Sequence, residues 1–345
     1  MKKALITGIT GQDGSFLAEF LLERGYEVFG LVRRESWYRA NNASHLADRV
    51  QVLFGDVAEG VDISSALQDA KPDEIYSLAS QSRPGESWAR GPETLLINGM
   101  GAVRLFEAVR HVCPRARVYH AASSEMFGQT ECLAQNEDTP FHPANPYAAA
   151  KVYAHHMARI YREGFGLFVS SGILFNHESE RRPLHFLTQK VAHGAACAAL
   201  GIKDSPDLNE MGRPVVRQGW LALGNLDIAR DWGYAGDFVK AMWMMLQHDT
   251  PEDFVIGTGR LHSLRELCEA AYHCVDRDWR EHVVSDPELV RPLESSQTLA
   301  DPAKARRLLG WEPTVGFEEM VGTMVAAQIR RLRDVLPHAR SEAGQ

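Results

Sequence analysis

The stretch AASSEMFG, Ala121 to Gly128, sets two serines and a glutamate at the end of a strand-like run containing Ala116, Val118, Tyr119 and His120. A carboxylate where a buried strand ends is costly unless it is paired or put to chemical use. Glu125 therefore reads either as an acid–base group or as a salt-bridged structural carboxylate. Further on, NPYAAAK places Tyr147 and Lys151 four residues apart. Asn145 is a good N-cap and Pro146 a good first helical residue, so a helix starting there stacks both side chains on one face. An ammonium beside a phenol favours the phenolate and lowers the tyrosine pKa. The pair predicts a base for a hydroxyl that is losing hydride.

Hydride transfer needs an acceptor, and the N-terminal segment ALITGITGQDGSFLAEFLL supplies a place for one. Gly8, Gly11 and Gly14 fall where a first strand hands over to a first helix. Glycines there permit a tight turn and close approach of a pyrophosphate, and the helix N-terminus offers N–H donors. The position predicts dinucleotide binding, with Gln12 and Asp13 inside the turn. The second strand ends LVRRES, without the acid that would hold ribose hydroxyls. Arg33 or Arg34 suits a 2′-phosphate, so the expected cofactor is NADP, the alternative being two solvated arginines. Asp56 of FGDV either accepts from the adenine or serves its own turn.

Around these residues, short apolar runs alternate with helix-period segments. Strands are predicted at Ala4–Thr7, Tyr26–Val32, Val50–Phe54, Glu74–Ala79 and the run before Ala121. Helices are predicted at Phe16–Arg24, Ser64–Ala70 and Val103–Val112. This alternation predicts an α/β fold, a Rossmann-type doubly wound parallel sheet with a smaller, partly discontinuous C-terminal substrate domain. The expected division is 1–175, with 226–250 returning to it, against 176–225 and 251–335, then a frayed tail over 336–345. Gly201–Gln218, with Pro206, Gly212 and Pro214, reads as an excursion or mobile loop. Helices are expected at Gly236–Leu246, Leu264–Cys274 and from Phe317 to about Arg333.

The chain has 345 residues, 45% of them hydrophobic, and a formal net charge of −8, which excludes a general nucleic-acid or membrane-surface binder. Five scattered cysteines without a CxxC pair predict reduced thiols in a cytoplasmic protein. No apolar run reaches the ~20 residues that a membrane span needs. His155 and His156 are adjacent and point apart on a helix, and no histidine cluster predicts a metal.

Gly8–x–x–Gly11–x–x–Gly14 followed by Tyr147–x–x–x–Lys151 resembles the extended short-chain dehydrogenase/reductase family. SSEMFG, NPYAAAKVYAHH, GILFNHES, LGNLDIARDWGYAGDFVKAMW and DPAKARRLLGWEP resemble its nucleotide-sugar 4,6-dehydratases, in register from Lys2 to about Arg330. The resemblance implies oxidation at C4 of a GDP-sugar, most simply a GDP-hexose such as GDP-mannose, then loss of water across C5 and C6. It gives Tyr147 the 4-hydroxyl proton and Glu125 the C5 proton, which the 4-ketone has made acidic. Ser123 steadies the 4-oxygen, and Ser124 assists departure of the C6 hydroxyl. Val57, Leu78 and Ala79 join the expected cofactor contacts. Ser82, Asn176, Lys190, Arg230, Arg291 and Glu294 are the expected nucleotide-sugar contacts, although Arg230–Asp231 also reads as a structural ion pair. A homodimer or homotetramer is implied, with Arg181 and Arg182 as candidates to reach a neighbour's cofactor.

The sequence departs from the pattern at Arg83–Pro84, at Pro183 and Gln189, and in the length of the 201–218 stretch. These departures leave open another GDP-sugar, such as a GDP-heptose. An epimerase or 4-ketoreductase on the same scaffold is the rival activity, and neither needs Glu125.

Overall fold

A computed structural model describes residues 1–39, 41–209, 211–290, 293 and 297–342, with the backbone alone over 336–342. The apolar run KALIT forms β1 (Lys3–Thr7), and its neighbours follow as β2 (Glu27–Val32), β3 (Gln51–Phe54), β4 (Glu74–Ser77), β5 (Arg117–Ala121) and β6 (Val169–Leu174). A seventh strand, β7 (Asp253–Ile256), completes one parallel sheet in the order β7-β6-β5-β4-β1-β2-β3. Such a sheet must be covered on both faces. One face packs α1 (Gln12–Glu23) and α6 (Ala235–Gln247), with Leu17, Leu21, Met242 and Met245 fully buried. The other packs α2 (Gly60–Ala70), α3 (Gly101–Val112) and α4 (Pro146–Phe165), with Leu67, Phe106 and Ala154 inside.

The doubly wound sheet is thus as expected, with one shift. Its last strand comes from 253–256, beyond the 226–250 segment expected to return. Asp253–Ile256 pairs in register with Ser171–Leu174, so the polypeptide stays with the sheet for one strand longer.

A second apolar core lies between α5 (Leu187–Leu200), α7 (Leu264–His273) and α8 (Phe317–Glu342). The last of these runs beyond Arg333 and through Pro337, where the sequence predicts a tail. Of the excursion expected over 201–218, the described residues pair with one another. Leu208 bridges Pro214, Val215 N–H donates to Asp207 O at 2.9 Å, and Val216–Arg217 pairs antiparallel with Trp220–Leu223. The Asp207 carboxylate then takes a two-pronged grip from Arg331 of α8 at 2.6 and 3.1 Å. Proline and glycine here shape a hairpin turn, and the ion pair pins it. Among the described residues, no helix is long and apolar enough to cross a membrane.

Candidate active site

The first turn is built by close contacts that only glycine allows. Gly8 has φ of +76°, and a Cβ on it would sit 2.9 Å from the Ala79 nitrogen. At Gly14 a Cβ would lie 2.3 Å from Gly8 O, so this glycine lets α1 press against the strand end. Gly11, the N-cap of α1, brings no side chain over the helix N-terminus. That leaves a cradle suited to a pyrophosphate. Gln12 and Asp13 are tied to His177 and Ser179. Gln12 donates to Asp13 at 3.0 Å and to His177 O at 3.1 Å, and accepts from Ser179 at 2.8 Å. Asp13 pairs with His177 at 2.9 Å. Burial alone would raise the Asp13 pKa, but the charge and hydrogen bond of His177 hold it down to about 2.

The floor of the cleft is the end of β5 and the start of α4. Ser123 caps a short 3-10 turn over Ser124–Met126, accepting from Glu125 N–H at 3.2 Å. Asn145 Oδ1 accepts from Ala148 N–H at 2.8 Å, as an N-cap should, while its Nδ2 donates to the Glu125 carboxylate at 3.0 Å. One side chain thus starts the helix and aims the acid. Ser123, Ser124, Glu125, Tyr147 and Lys151 line a single cleft, together with Ser82, Asn176, Lys190, Arg230, Asp13 and Leu78.

One expectation fails in this structure. The Tyr147 pKa is not lowered; burial pushes it up to about 12, opposed by a hydrogen bond with Ser123 and reinforced by the Glu125 charge. Lys151 donates to Ala121 O at 2.7 Å, and its ammonium lies 5.8 Å from the Tyr147 ring centre. Burial brings its own pKa down to about 8. The i, i+4 spacing places the two groups on one face, but dehydration of the phenolate outweighs an ammonium already engaged by a backbone carbonyl.

The remaining expected contacts are spread around this floor. Arg33 and Arg34 stand exposed where β2 ends, Arg33 3.6 Å from Glu35 and Arg34 over the Phe54 ring at 4.4 Å. Asp56 Oδ1 accepts from Ala58 N–H at 2.9 Å within its own turn, and the Val57 carbonyl packs against Gly101. Arg230 donates to Ala229 O at 2.8 Å. The neighbouring Asp231 accepts from Thr258 and Gly259 of one loop and from Ala300 of another, and so ties both to its own segment. Arg181 donates to Glu19 at 2.8 Å and to Ser15 at 3.0 Å, both on α1. Arg291 and Glu294 lie outside the described residues.

Sequence reasoning missed two groups that the fold brings to the cleft, His177 and His185; Arg182, expected only as an arm toward a neighbour's cofactor, lines this cleft as well. Arg182 pairs with the buried Glu178 at 2.9 Å. Both ring nitrogens of His177 face acceptors, Phe175 O at 2.7 Å and Asp13 at 2.9 Å. That geometry requires an imidazolium, and the His177 pKa is indeed raised, against its burial, by Asp13. Its place beside Asn176 in the FNHE motif was the available signal.

A family model described as GDP-mannose 4,6 dehydratase matches residues 5–324. The chain belongs to the GDP-mannose 4,6-dehydratase family. It is 42% identical to GDP-mannose 4,6 dehydratase 1 of Arabidopsis thaliana over 336 residues, covering 94% of this chain and 89% of the relative. To the human GDP-mannose 4,6 dehydratase it is 39% identical, covering 96% and 92%. Among solved structures, a dTDP-glucose 4,6-dehydratase of Streptomyces venezuelae with NAD bound superposes with a TM-score of 0.80 at 23% identity, covering 96% of this chain and 98% of that one. The UDP-glucose 4-epimerase of Thermus thermophilus, also with NAD, gives 0.79 at 24%, covering 94% and 98%. These two likenesses establish the Rossmann-type fold.

Proposed function

We propose that the protein is an NADP-dependent hydro-lyase that converts GDP-mannose to its 4-keto-6-deoxy derivative. The observation that carries this reading is Glu125, held by Asn145 at 3.0 Å on the same cleft floor as Tyr147 and Lys151, in a chain of this family. An epimerase or ketoreductase has no use for a carboxylate fixed there. NADP held there would supply the hydride acceptor for C4 and the hydride donor for C6. The glycine cradle fits its pyrophosphate, and Arg33 or Arg34 its 2′-phosphate.

Tyr147 receives the 4-hydroxyl proton, with Ser123 beside the 4-oxygen. Glu125 removes the C5 proton, made acidic by the adjacent ketone, and hands it to the departing C6 hydroxyl. Ser124 supports that departure. Ser82, Asn176, Lys190 and Arg230 hold the nucleotide-sugar, with Arg230 suited to the diphosphate. Arg291 and Glu294 belong to the same proposed set. Residues 1–175 with 226–256 serve the cofactor, and 176–225 with the remainder serve the sugar nucleotide. The exposed Leu95, Leu96, Tyr153, Ile160 and Phe165 offer an apolar face for a homodimer or for the dimer unit of a tetramer. Five unpaired cysteines support a cytoplasmic setting.

The test is to incubate the purified protein and catalytic NADP with GDP-, UDP-, CDP- and dTDP-sugars, reading loss of one water by mass spectrometry. GDP-mannose should lose water without net NADPH formation, and solvent deuterium should enter C5. Isomer formation without dehydration, or stoichiometric NADPH consumption, would overturn the reading. Dehydration of a GDP-heptose instead would trace to the short helix Pro84–Ser87 and Trp88, which border the cleft where the sequence departs from its family.

A further inference from the structure

The dehydratase reading leaves one proton to be accounted for. C5 gives its proton to Glu125, and that proton leaves in the water formed from the C6 hydroxyl. The 4-hydroxyl proton goes to Tyr147, while C5 must be reprotonated after hydride returns to C6. In each turnover, therefore, one proton arrives at Tyr147 and another is needed at C5. A buried phenol that already carries its own proton needs an outlet.

Beneath Lys151 the sheet carries a row of polar side chains where a sheet covered by helices should be apolar. Strand register sets Ser77 of β4 beside His120 of β5, His120 beside Ser171 of β6, and Ser171 beside Asp253 of β7. Side-by-side residues of a parallel sheet share a face. Here it is the α3–α4 face, since the His120 ring packs edge-on to Phe106 at 5.5 Å. Above the row, α4 contributes Lys151, His155 one turn later, and Arg162, which grips Asp253 at 2.8 and 2.9 Å. His155 Nε2 lies 3.8 Å from the Asp253 carboxylate. His120 is 2% exposed and Ser171 fully buried, yet among the described residues both ring nitrogens of His120, the Ser171 hydroxyl and His155 Nδ1 have no protein partner. Four unpartnered polar atoms within one buried layer are rare in folded proteins and mark sites for ordered water.

We propose that His120, Ser171 and His155, bridged by water, form a proton path from Lys151 to Asp253 at the partly exposed edge of the sheet. As the 4-hydroxyl proton reaches Tyr147, the phenol proton moves to Lys151. Lys151 releases its own proton into the row, and one proton leaves at Asp253. Solvent supplies one proton to C5, so charge balances over the turnover and no oxidant or reductant is involved. Burial, the Lys151 charge and His155 hold His120 well below its usual pKa. Burial also lowers the pKa of His155, whose charged neighbours are Asp253, which opposes the shift, and His156, Arg162 and Arg159. Neutral imidazoles carry one donor and one acceptor nitrogen, as a relay requires. His120 and Ser171 are positioning residues, because neither reaches the substrate.

The test uses Ser171→Ala and His120→Leu in the full-length, NADP-loaded protein. The path predicts that kcat falls about tenfold, less than for a group touching the reacting atoms, with KM for GDP-mannose unchanged. The solvent deuterium isotope effect on kcat should rise. In 15N-histidine-labelled wild type, the ring N–H of His120 should exchange with water. If His120→Leu does not fold, Ser171→Ala decides. Wild-type kcat and isotope effect in folded Ser171→Ala, or a His120 ring N–H shielded from exchange, overturns the path alone. A wild type that dehydrates no GDP-sugar overturns the underlying reading as well.

Discussion

The floor of the cleft and its β2 rim are built on opposite plans. On the floor, Ser123, Ser124, Tyr147 and Lys151 are each less than a tenth exposed, and Asn145 and Ala121 hold Glu125 and Lys151 in place. At the rim, the Arg33 side chain is 54% exposed and is steadied by a loose pair with Glu35. The difference fits the two tasks proposed above. Proton transfer needs dry, preorganised groups whose orientation costs nothing at the moment of reaction. Recognition of a phosphate needs charge within reach, and a solvated arginine can adapt to it. The dry floor carries its own penalty, the raised Tyr147 pKa, which a wet one would not impose.

The sharpest way to break this contrast is at the floor. Glu125→Gln should reduce turnover by roughly 10²- to 10⁴-fold while C4 oxidation continues, so NADPH accumulates in stopped-flow absorbance. Tyr147→Phe should lose as much turnover without that accumulation. A Glu125→Gln enzyme with full activity would remove the residue from its assigned role. At the rim, Arg33→Ala with Arg34→Ala should weaken NADP by about tenfold to a hundredfold, the range for losing a charge-assisted bond, and leave NAD affinity unchanged. Equal weakening of both dinucleotides in calorimetric titration would show that these arginines do not read the 2′-phosphate.

Asp13 and His177 join the floor to the glycine turn, and their charges set a pH window. The Asp13 pKa is lowered in the fold, from 3.8 to about 2, so its stabilisation is present above about pH 4 and lost as pH falls toward 2. The His177 pKa is raised, so its share is present below 6.5 and lost as pH rises past the folded value. Asp13→Asn should lower stability by on the order of 2 kcal/mol between those limits. Urea unfolding at about pH 6 and about pH 3 should differ less for the variant than for the wild type. An identical acid dependence in both proteins would show that the pair is not the coupled group.

What could be read from the sequence was whatever depends on local pattern. The strand–turn–helix at Gly8–Gly14 and the N-cap at Asn145 follow from steric and capping rules that act within a few residues. The clustering of Ser123, Glu125, Tyr147 and Lys151 on one floor was expected because the strand end and the helix start were both visible. The sign of the Tyr147 shift was not, since it depends on how deeply the folded chain buries the phenol. Asn145 as the partner of Glu125, His177 as an imidazolium and the hairpin over 201–218 depend on contacts between distant segments. The same holds for β7. DFVI carries a strand-like pattern, but only its pairing with Ser171–Leu174 assigns it to the large sheet.

The smallest predicted effect asks whether the floor is held from within its own helix. Asn145→Ala removes both a cap and the donor to Glu125. Loss of the cap alone should cost about 1 kcal/mol of stability. Asn145→Asp keeps the cap oxygen but sets a second carboxylate against Glu125 instead of a donor, so it separates the two duties. Its melting temperature should stay near that of the wild type while kcat falls with KM unchanged. Asn145→Ala should lose both. If the Asp variant keeps full turnover, Glu125 is aimed by the 3-10 turn at Ser123 alone, and the floor owes its order to β5 and not to α4.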